Sequence, residues 1–171
     1  IRSYSEDVRT QNIGFILQEP FLFTGTVKDN LLYGNTQQQN LTSEQLLDLL
    51  KQEHLDGLLE RFDQGLDTPV TGGDTLSLGQ RQLIAFMRAV LRRPALLILD
   101  EATANIDTVT EQLLEDVLKQ LPATTTRVII AHRLNTIENA DEIFFVNGGE
   151  VVPAGSMEHA VEMLLHQNRK S

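Results

Sequence analysis

The stretch from Leu76 to Asp107 reads LSLGQRQLIAFMRAVLRRPALLILDEATANID, and it decides the fold of this 171-residue chain. A Ser-x-Gly-Gln turn that starts at Ser77 opens a helical pattern, a proline ends that pattern, and a short apolar run then predicts a buried strand. Two adjacent carboxylates, Asp100 and Glu101, follow the strand. Helix amides with a hydroxyl favour an anion, and strand-end carboxylates favour a hard cation. The order is typical of a site for a nucleoside triphosphate and its magnesium.

Further apolar runs on either side of this stretch predict more strands, separated by amphipathic helices. The predicted strands are Ile13–Leu17, Ala95–Leu99, Arg127–Ala131, Ile143–Val146 and Glu150–Val152, the last two joined by a tight Asn-Gly-Gly turn. The runs at 95–99 and 127–131 are expected to be buried on both faces. Helices are predicted at 80–92 and 110–121, with a leucine-rich helical insert between 41 and 62 in which Thr42 and Gln45 form a capping box. Alternating strands and helices predict an α/β domain with a mostly parallel sheet.

Composition excludes several classes of protein. A net charge of −10 argues against a nucleic-acid partner, which would need a basic face. The absence of cysteine excludes a disulfide framework and a thiolate metal site. No apolar run reaches the roughly 18 residues that a membrane helix needs, and the N-terminus does not resemble a signal peptide. We therefore expect the chain by itself to be soluble.

Each candidate functional residue also has an ordinary structural interpretation. Asp100 could cap the loop after its strand, with Glu101 merely exposed, and Ser77 could serve only as a helix N-cap. Gln18 and His132 could be strand-end residues without a ligand. No single residue decides between these interpretations. The order and spacing of the residues along the chain are the stronger evidence for a functional site.

In that order the motifs resemble the nucleotide-binding domain of ATP-binding cassette (ABC) transporters, from Gly14 onward. The resemblance implies a P-loop NTPase-like α/β fold with helices flanking the sheet and a helical subdomain. On this basis residues 1–171 form one partial domain, in which about 35–92 make the helical subdomain with the signature motif. Residues 1–34 and 93–171 would then be parts of the catalytic core. The segment from Pro20 to Gly34 is similar to the exporter-type members.

The resemblance also assigns roles. The matched elements are the Q-loop glutamine Gln18, the signature Leu76–Gln80, the Walker B strand Leu96–Asp100, the general base Glu101, the D-loop aspartate Asp107 and the switch histidine His132. It implies ATP and Mg²⁺ as cofactors, with Asp100 and Gln18 at the metal. Ser77 and Gly79, with Gln80 beside them in the signature, would serve the γ-phosphate of ATP on an opposing domain.

The implied partners are a second nucleotide-binding domain, in a homo- or heterodimer, and a transmembrane domain. The implied place is the cytoplasmic face of a membrane. The implied activity is ATP hydrolysis that drives export. No nucleic acid is expected as a partner.

Three departures from the family pattern carry expectations of their own. Leu78 stands where a second glycine is usual, and it is expected in an exposed loop that tolerates it. Thr71 and Gly72 stand where a Gly-Glu pair is usual, in a loop one residue short. No G-x-x-x-x-G-K-[ST] motif occurs and no adenine-stacking aromatic can be assigned, so the phosphate cradle is missing. We therefore expect the N-terminal part of the domain to be absent and the chain alone to be inactive.

Two alternatives remain open at this point. A DNA-repair or chromosome-structure ATPase shares these motifs, but it separates them by a long coiled coil, and this chain has no sustained heptads. A non-catalytic binding module could also keep the fold. Its site would have no use for Glu101 and His132.

Overall fold

The computed structural model describes residues 2–72, 75–100, 106–131 and 139–168. Its helices are α1 (Glu6–Asn12), α2 (Val27–Leu32), α3 (Ser43–Gln52), α4 (Asp56–Leu59), α5 (Leu78–Leu91), α6 (Thr108–Gln120) and α7 (Met157–Asn168), with one 3₁₀ turn at Gly65–Asp67. Its strands are β1 (Ile13–Ile16), β2 (Gly25–Thr26), β3 (Pro69–Val70), β4 (Leu96–Asp100), β5 (Thr126–Ile130), β6 (Phe144–Asn147) and β7 (Glu150–Pro153). The predicted alternation of strands and helices is confirmed.

Three parallel strands form the central sheet of residues 1–130, in the order β1-β4-β5. The register pairs Ile16 with Leu99, and it pairs Asp100 with Ile130. Strands β2 and β3 form a separate antiparallel pair. Because all three strands of the central sheet run in one direction, their carboxyl ends share one edge, the edge where α/β proteins bind ligands.

Helix α5 supplies much of the core that packs on this sheet. Its buried apolar residues are Leu83, Ile84, Ala85, Phe86, Met87, Ala89, Val90 and Leu91. Strand β1 approaches this helix closely at Gly14, where an added Cβ would lie 3.5 Å from the Cβ of Ala89. Arg93, with φ of 50°, turns the chain out of the helix, and Pro94 follows, as the predicted proline stop requires.

Capping boxes begin three of the described helices. The predicted pair of Thr42 and Gln45 is confirmed at α3, where the Thr42 hydroxyl accepts from the Gln45 amide at 3.2 Å. Equivalent boxes begin α2 and α5. The insert predicted at 41–62 contains two helices, α3 and α4, and α4 spans only four residues. The proposed limits of a helical subdomain at about 35–92 stay a prediction.

The prediction that the strands at 95–99 and 127–131 are buried on both faces is wrong. Alternate residues of β4 are only half-buried, and β5 is exposed along most of its length. Phe15, Val128 and Ile130 are 51%, 44% and 46% exposed. Phe15 and Val128 both pair with Ile98 of β4 and so lie on one face of the sheet, and Ile130, two residues after Val128, lies on the same face. Apolar composition shows that a strand is suited to burial, whereas actual burial requires an element that packs on it. Among the described residues of the first unit, 2–130, no such element covers this face.

Residues 131–171 form a second compact unit. Strands β6 and β7 make the predicted hairpin, in which Asn147 pairs with Glu150. Gly148 and Gly149 between them have φ of 57° and 85°, as a two-residue type I′ turn requires. The Ser156 hydroxyl accepts from the His159 amide at 3.2 Å at the start of α7. Across the described residues, none of the helices has the length and apolar character to cross a bilayer.

Candidate functional site

The Ser-x-Gly-Gln turn forms the first turn of α5. Ser77 is the N-cap in an extended conformation, and its Oγ accepts a hydrogen bond from the Gln80 amide at 3.1 Å. The Gln80 side chain returns the bond, because its Oε1 accepts from the Ser77 amide at 2.9 Å. The cap interpretation of Ser77 is therefore confirmed, whereas its contact with a phosphate stays a prediction.

The capped turn leaves two hydrogen-bond donors for a ligand. Ser77 uses its oxygen as an acceptor, so its hydroxyl proton is still available, and the residue is exposed. The Gly79 amide belongs to the first turn, where intrahelical partners do not exist, and it has no partner among the described residues. A hydroxyl and an amide at the positive end of a helix suit a phosphate oxygen.

Leu78 does not lie in an exposed loop, so that expectation is wrong. It is the first residue of α5 and half-buried. A helical backbone suits an L-residue at this position, and the turn does not need a second glycine.

Gln80 uses both ends of its side-chain amide inside the protein. Its Oε1 completes the capping box, and its Nε2 donates to the Arg61 carbonyl at 2.9 Å. This geometry favours a role in holding the turn in place. Contact of Gln80 with nucleotide stays a prediction.

Asp100 and Gln18 are brought to the same edge of the sheet. Asp100 is the half-buried last residue of β4. Gln18 is exposed and follows β1 by two positions, and because Ile16 pairs with Leu99, the register places Gln18 just beyond the level of Asp100. A carboxylate and an amide oxygen at one edge are ligands that Mg²⁺ accepts together with phosphate oxygens and water.

Asp107 is the N-cap of α6. Its Oδ1 accepts from the Thr110 amide at 3.0 Å, and its Oδ2 accepts from the Thr110 hydroxyl at 2.6 Å. The pKa of this carboxyl is held below its ordinary value, mainly by the hydrogen bond from the Thr110 hydroxyl and next by the bond from the Thr110 amide. The charge of Arg61 adds to the effect. The observed contacts are those of a cap, and the catalytic role stays a prediction.

The remaining two predicted catalytic residues, Glu101 and His132, lie outside the described residues. The structure therefore leaves their roles as predictions. Among the residues that it does describe, no three histidine, aspartate or glutamate side chains cluster as a metal site would. One carboxylate per metal is enough where phosphates supply further ligands, so Asp100 remains compatible with Mg²⁺.

Sequence reasoning missed a set of side chains, on α5 and at its C-cap, that hold Gln18 and the segment after it. Gln82 donates to the Gln18 carbonyl at 2.7 Å, Arg88 to the Phe21 carbonyl at 3.0 Å, and Arg92 to the Tyr33 carbonyl at 2.8 Å. Burial lowers the pKa of both Arg88 and Arg92 below the ordinary value of a guanidinium. A polar Gln82 within an otherwise apolar helix face was the available signal.

An aromatic surface also went unpredicted. Phe21 and Phe23 meet edge to face with centroids 5.0 Å apart, and the Phe23 ring lies 3.8 Å from that of Tyr33. Phe21 is 69% exposed, and Tyr33 is half exposed. The buried side chain of Asn30 holds the backbone here, because its Oδ1 accepts from the backbone amide of Phe23 and its Nδ2 donates to the carbonyl of Phe23.

A cavity of about 450 Å³ lies elsewhere, at the amino edge of the sheet. Its lining includes Asn12, Ala95 and Thr125, close to where β1, β4 and β5 begin. Concavity therefore does not mark the residues that the motifs single out. The candidate site lies at the opposite, carboxyl edge.

Comparison with known proteins gives consistent matches. A family model described as ABC transporter matches residues 1–104. An uncharacterized ABC transporter ATP-binding protein, YfiC of Bacillus subtilis (strain 168), is 44% identical over 88% of this chain and 25% of its own length. From the same organism, a probable multidrug resistance ABC transporter ATP-binding/permease protein, YheH, is 40% identical over 95% of this chain and 24% of its own length.

A solved structure supports the fold. The structure of a bacterial Atm1-family ABC exporter with ATP bound matches with a TM-score of 0.72 and 29% identity, over 90% of this chain and 26% of that chain. The chain thus spans about a quarter of the length of the curated relatives it matches. The P-loop NTPase-like α/β class expected from the sequence is confirmed by this likeness.

Proposed function

The chain belongs to the ABC transporter family. On that premise we propose that it is part of the nucleotide-binding domain of an exporter. In this proposal the domain binds MgATP against a second, opposing domain and hydrolyses it to drive transport across a membrane. YfiC and YheH are both named as ABC transporter proteins, which favours this function over a chromosome-structure ATPase.

The capped first turn of α5 carries the proposal. Ser77 combines an occupied acceptor oxygen with an available hydroxyl proton, beside the unpartnered Gly79 amide. Two donors at an exposed helix N-terminus support binding of a γ-phosphate that an opposing domain presents.

The metal and the attacking water belong to the carboxyl edge of the sheet. Asp100 and Gln18 would hold Mg²⁺, which when bound neutralises charge on the phosphates. Glu101 would accept a proton from the attacking water, and His132 would hydrogen-bond a phosphate oxygen. Asp107 would act through its cap, by orienting the start of α6 beside the Walker B segment.

The transmembrane partner is proposed to dock on the aromatic surface of Phe21, Phe23 and Tyr33. Phe21 and Tyr33 are exposed and Phe23 is half-buried between them. Arg88 of α5 and Arg92 at its C-cap hold the backbone here by donating to the carbonyls of Phe21 and Tyr33. Exposed aromatic side chains on a firmly held backbone are typical of protein interfaces. A docked partner would thereby be connected to the residue proposed to contact the metal.

The decisive experiment replaces Ser77 by aspartate in the full-length gene product. Aspartate is as good an N-cap as serine, so the melting temperature should change little. It removes the donated proton and adds a negative charge, so ATP-driven domain dimerisation and ATPase activity should fall by about 100-fold. Normal turnover in Ser77→Asp would refute the proposed phosphate contact.

Two further measurements test the rest of the proposal. Glu101→Gln in the full-length product should trap nucleotide-bound dimers and stop turnover, and near-normal hydrolysis would mean that the base is another residue. The 171-residue chain alone contains no P-loop motif. Calorimetry should therefore find ATP binding to it weak or undetectable, and micromolar affinity would contradict the expectation.

A further inference from the structure

Gln82 is a polar side chain inside the apolar face of α5, and it is 1% exposed. Its Nε2 donates to the carbonyl oxygen of Gln18 at 2.7 Å, across 64 residues of sequence. Its Oε1 is buried and has no hydrogen-bond partner among the described residues. A buried acceptor without a partner costs free energy that an apolar side chain of the same size would avoid. The position is therefore poorly explained by packing.

The segment that Gln82 holds depends on side chains for its position. Residues 19–22 make no backbone-to-backbone hydrogen bond within the part of the chain that the structure describes. Two of these residues are held by α5 instead: Arg81 donates to the Pro20 carbonyl at 3.4 Å, and Arg88 donates to the Phe21 carbonyl at 3.0 Å. Of the three carbonyls, that of Gln18 is nearest to the end of β1 in the chain, and the bond from Gln82 to it is the shortest.

We infer that Gln82 is a positioning residue that acts through Gln18. By holding the Gln18 carbonyl, it fixes the direction in which the exposed Gln18 side chain leaves the carboxyl edge of the sheet. Gln82 lies one turn after Ser77 on the same rigid helix. The bond therefore connects Gln18, which is proposed to serve this chain's own nucleotide, to the helix that begins after Ser77, which is proposed to serve the opposing one. The inference rests on these proposed functions of Gln18 and Ser77.

A direct test follows the Gln18 segment in the 171-residue chain, without nucleotide. The chain contains no tryptophan, so Glu19→Trp places a single fluorescent probe at an exposed position next to Gln18. Adding Gln82→Met, which keeps the volume and removes the donor, should lower the anisotropy of the probe. The matched control is Gln112→Met on exposed α6, where the lost bond goes to Asp116, and it should leave the anisotropy unchanged. Equal anisotropy in the Gln82 and Gln112 variants overturns the inference.

A second variant leaves the Gln82 side chain unchanged and covers the case in which Gln82→Met does not fold. An ester in place of the amide between Gln18 and Glu19 makes the Gln18 carbonyl a weaker acceptor. For this variant the probe is placed at the neighbouring exposed position as Leu17→Trp, because residue 19 carries the ester. The anisotropy should again fall relative to the all-amide chain, and an unchanged value would contradict the inference.

Activity of the full-length product tests the consequence for catalysis. Gln82→Met should lower kcat for ATP about 10-fold with KM within about twofold, because orientation is lost and binding is not. If Gln82 acts through Gln18, Gln82→Met should add no further loss to Gln18→Ala. Independent, multiplicative losses would refute the inference. A wild-type product without ATPase activity would refute the proposed function, and the probe measurement would still decide the positioning role.

Discussion

The Nε2 atom of Gln80 lies 2.9 Å from the carbonyl oxygen of Arg61, 19 residues earlier in the chain. This bond ties the first turn of α5 to the segment that follows α4, while the other end of the same amide closes the capping box with Ser77. One side chain thus sets both the start of the helix and its position in the fold. The signature turn is placed by Gln80 before any ligand arrives.

Gln80→Glu separates the two functions of this side chain. Glutamate still accepts from the Ser77 amide in a capping box, but it cannot donate to the Arg61 carbonyl. The free energy of unfolding should fall by about 1–2 kcal/mol, measured by urea denaturation. Gln45→Glu is the control, because Gln45 has the same box with Thr42 and no partner for its Nε2 among the described residues. An equal effect of the two substitutions would contradict the expectation.

Gly14→Ala should destabilise the core. A Cβ at this position would lie 2.9 Å from Cδ1 of Leu97 and 3.1 Å from Cγ of Pro94, and both residues are buried. Overpacking of this kind costs about 1–3 kcal/mol, and thermal denaturation would show a lower melting temperature. Gly72→Ala provides the comparison, since a Cβ there would meet no atom of the described residues within 4 Å. It should change the melting temperature little.

Asp107 should make stability depend on acid pH. Its pKa is lower in the folded state than in the unfolded chain, so its contribution is present above the unfolded value and is lost as pH falls through the folded value. Asp107→Asn keeps a capping acceptor and removes the titration. The variant should melt below the wild type at neutral pH, and the difference should shrink below about pH 4. A difference that does not change with pH would mean that the charge adds nothing.

The exposed sheet face should make the 171-residue chain self-associate. Phe15 and Val128 expose apolar surface there, and contact of this surface with water is unfavourable in free energy. Light scattering should show a molar mass that rises with concentration, and Phe15→Thr with Val128→Thr should shift it towards the monomer. Val109→Thr, at a single exposed position on α6, should leave the mass unchanged. A wild-type chain that stays monomeric throughout would contradict this prediction.

Local signals predicted the elements of this fold well. The apolar run before Asp100 and the helical spacing after Ser77 both appear as a strand and a helix, and the box of Thr42 and Gln45 forms as expected. These features depend on neighbours within a few residues. For that reason a single sequence contains them.

Burial and long-range contacts were beyond such reasoning. The strand at 126–130 has the composition of a core strand and is nonetheless exposed, because burial depends on what packs against it. The bond from Gln82 to Gln18 spans 64 residues, and nothing in the local pattern names the acceptor.

The sequence by itself determined the class of site, because the chemistry of Ser77, Gly79 and Asp100 resides in residue types at fixed short spacings. Only the tertiary structure decided which of these groups remain available. Ser77 keeps a donor, while both ends of the Gln80 amide are used inside the protein. The fold determines which polar groups of a motif already have hydrogen-bond partners. A residue of the same motif can therefore contact a ligand or hold another part of the protein in place.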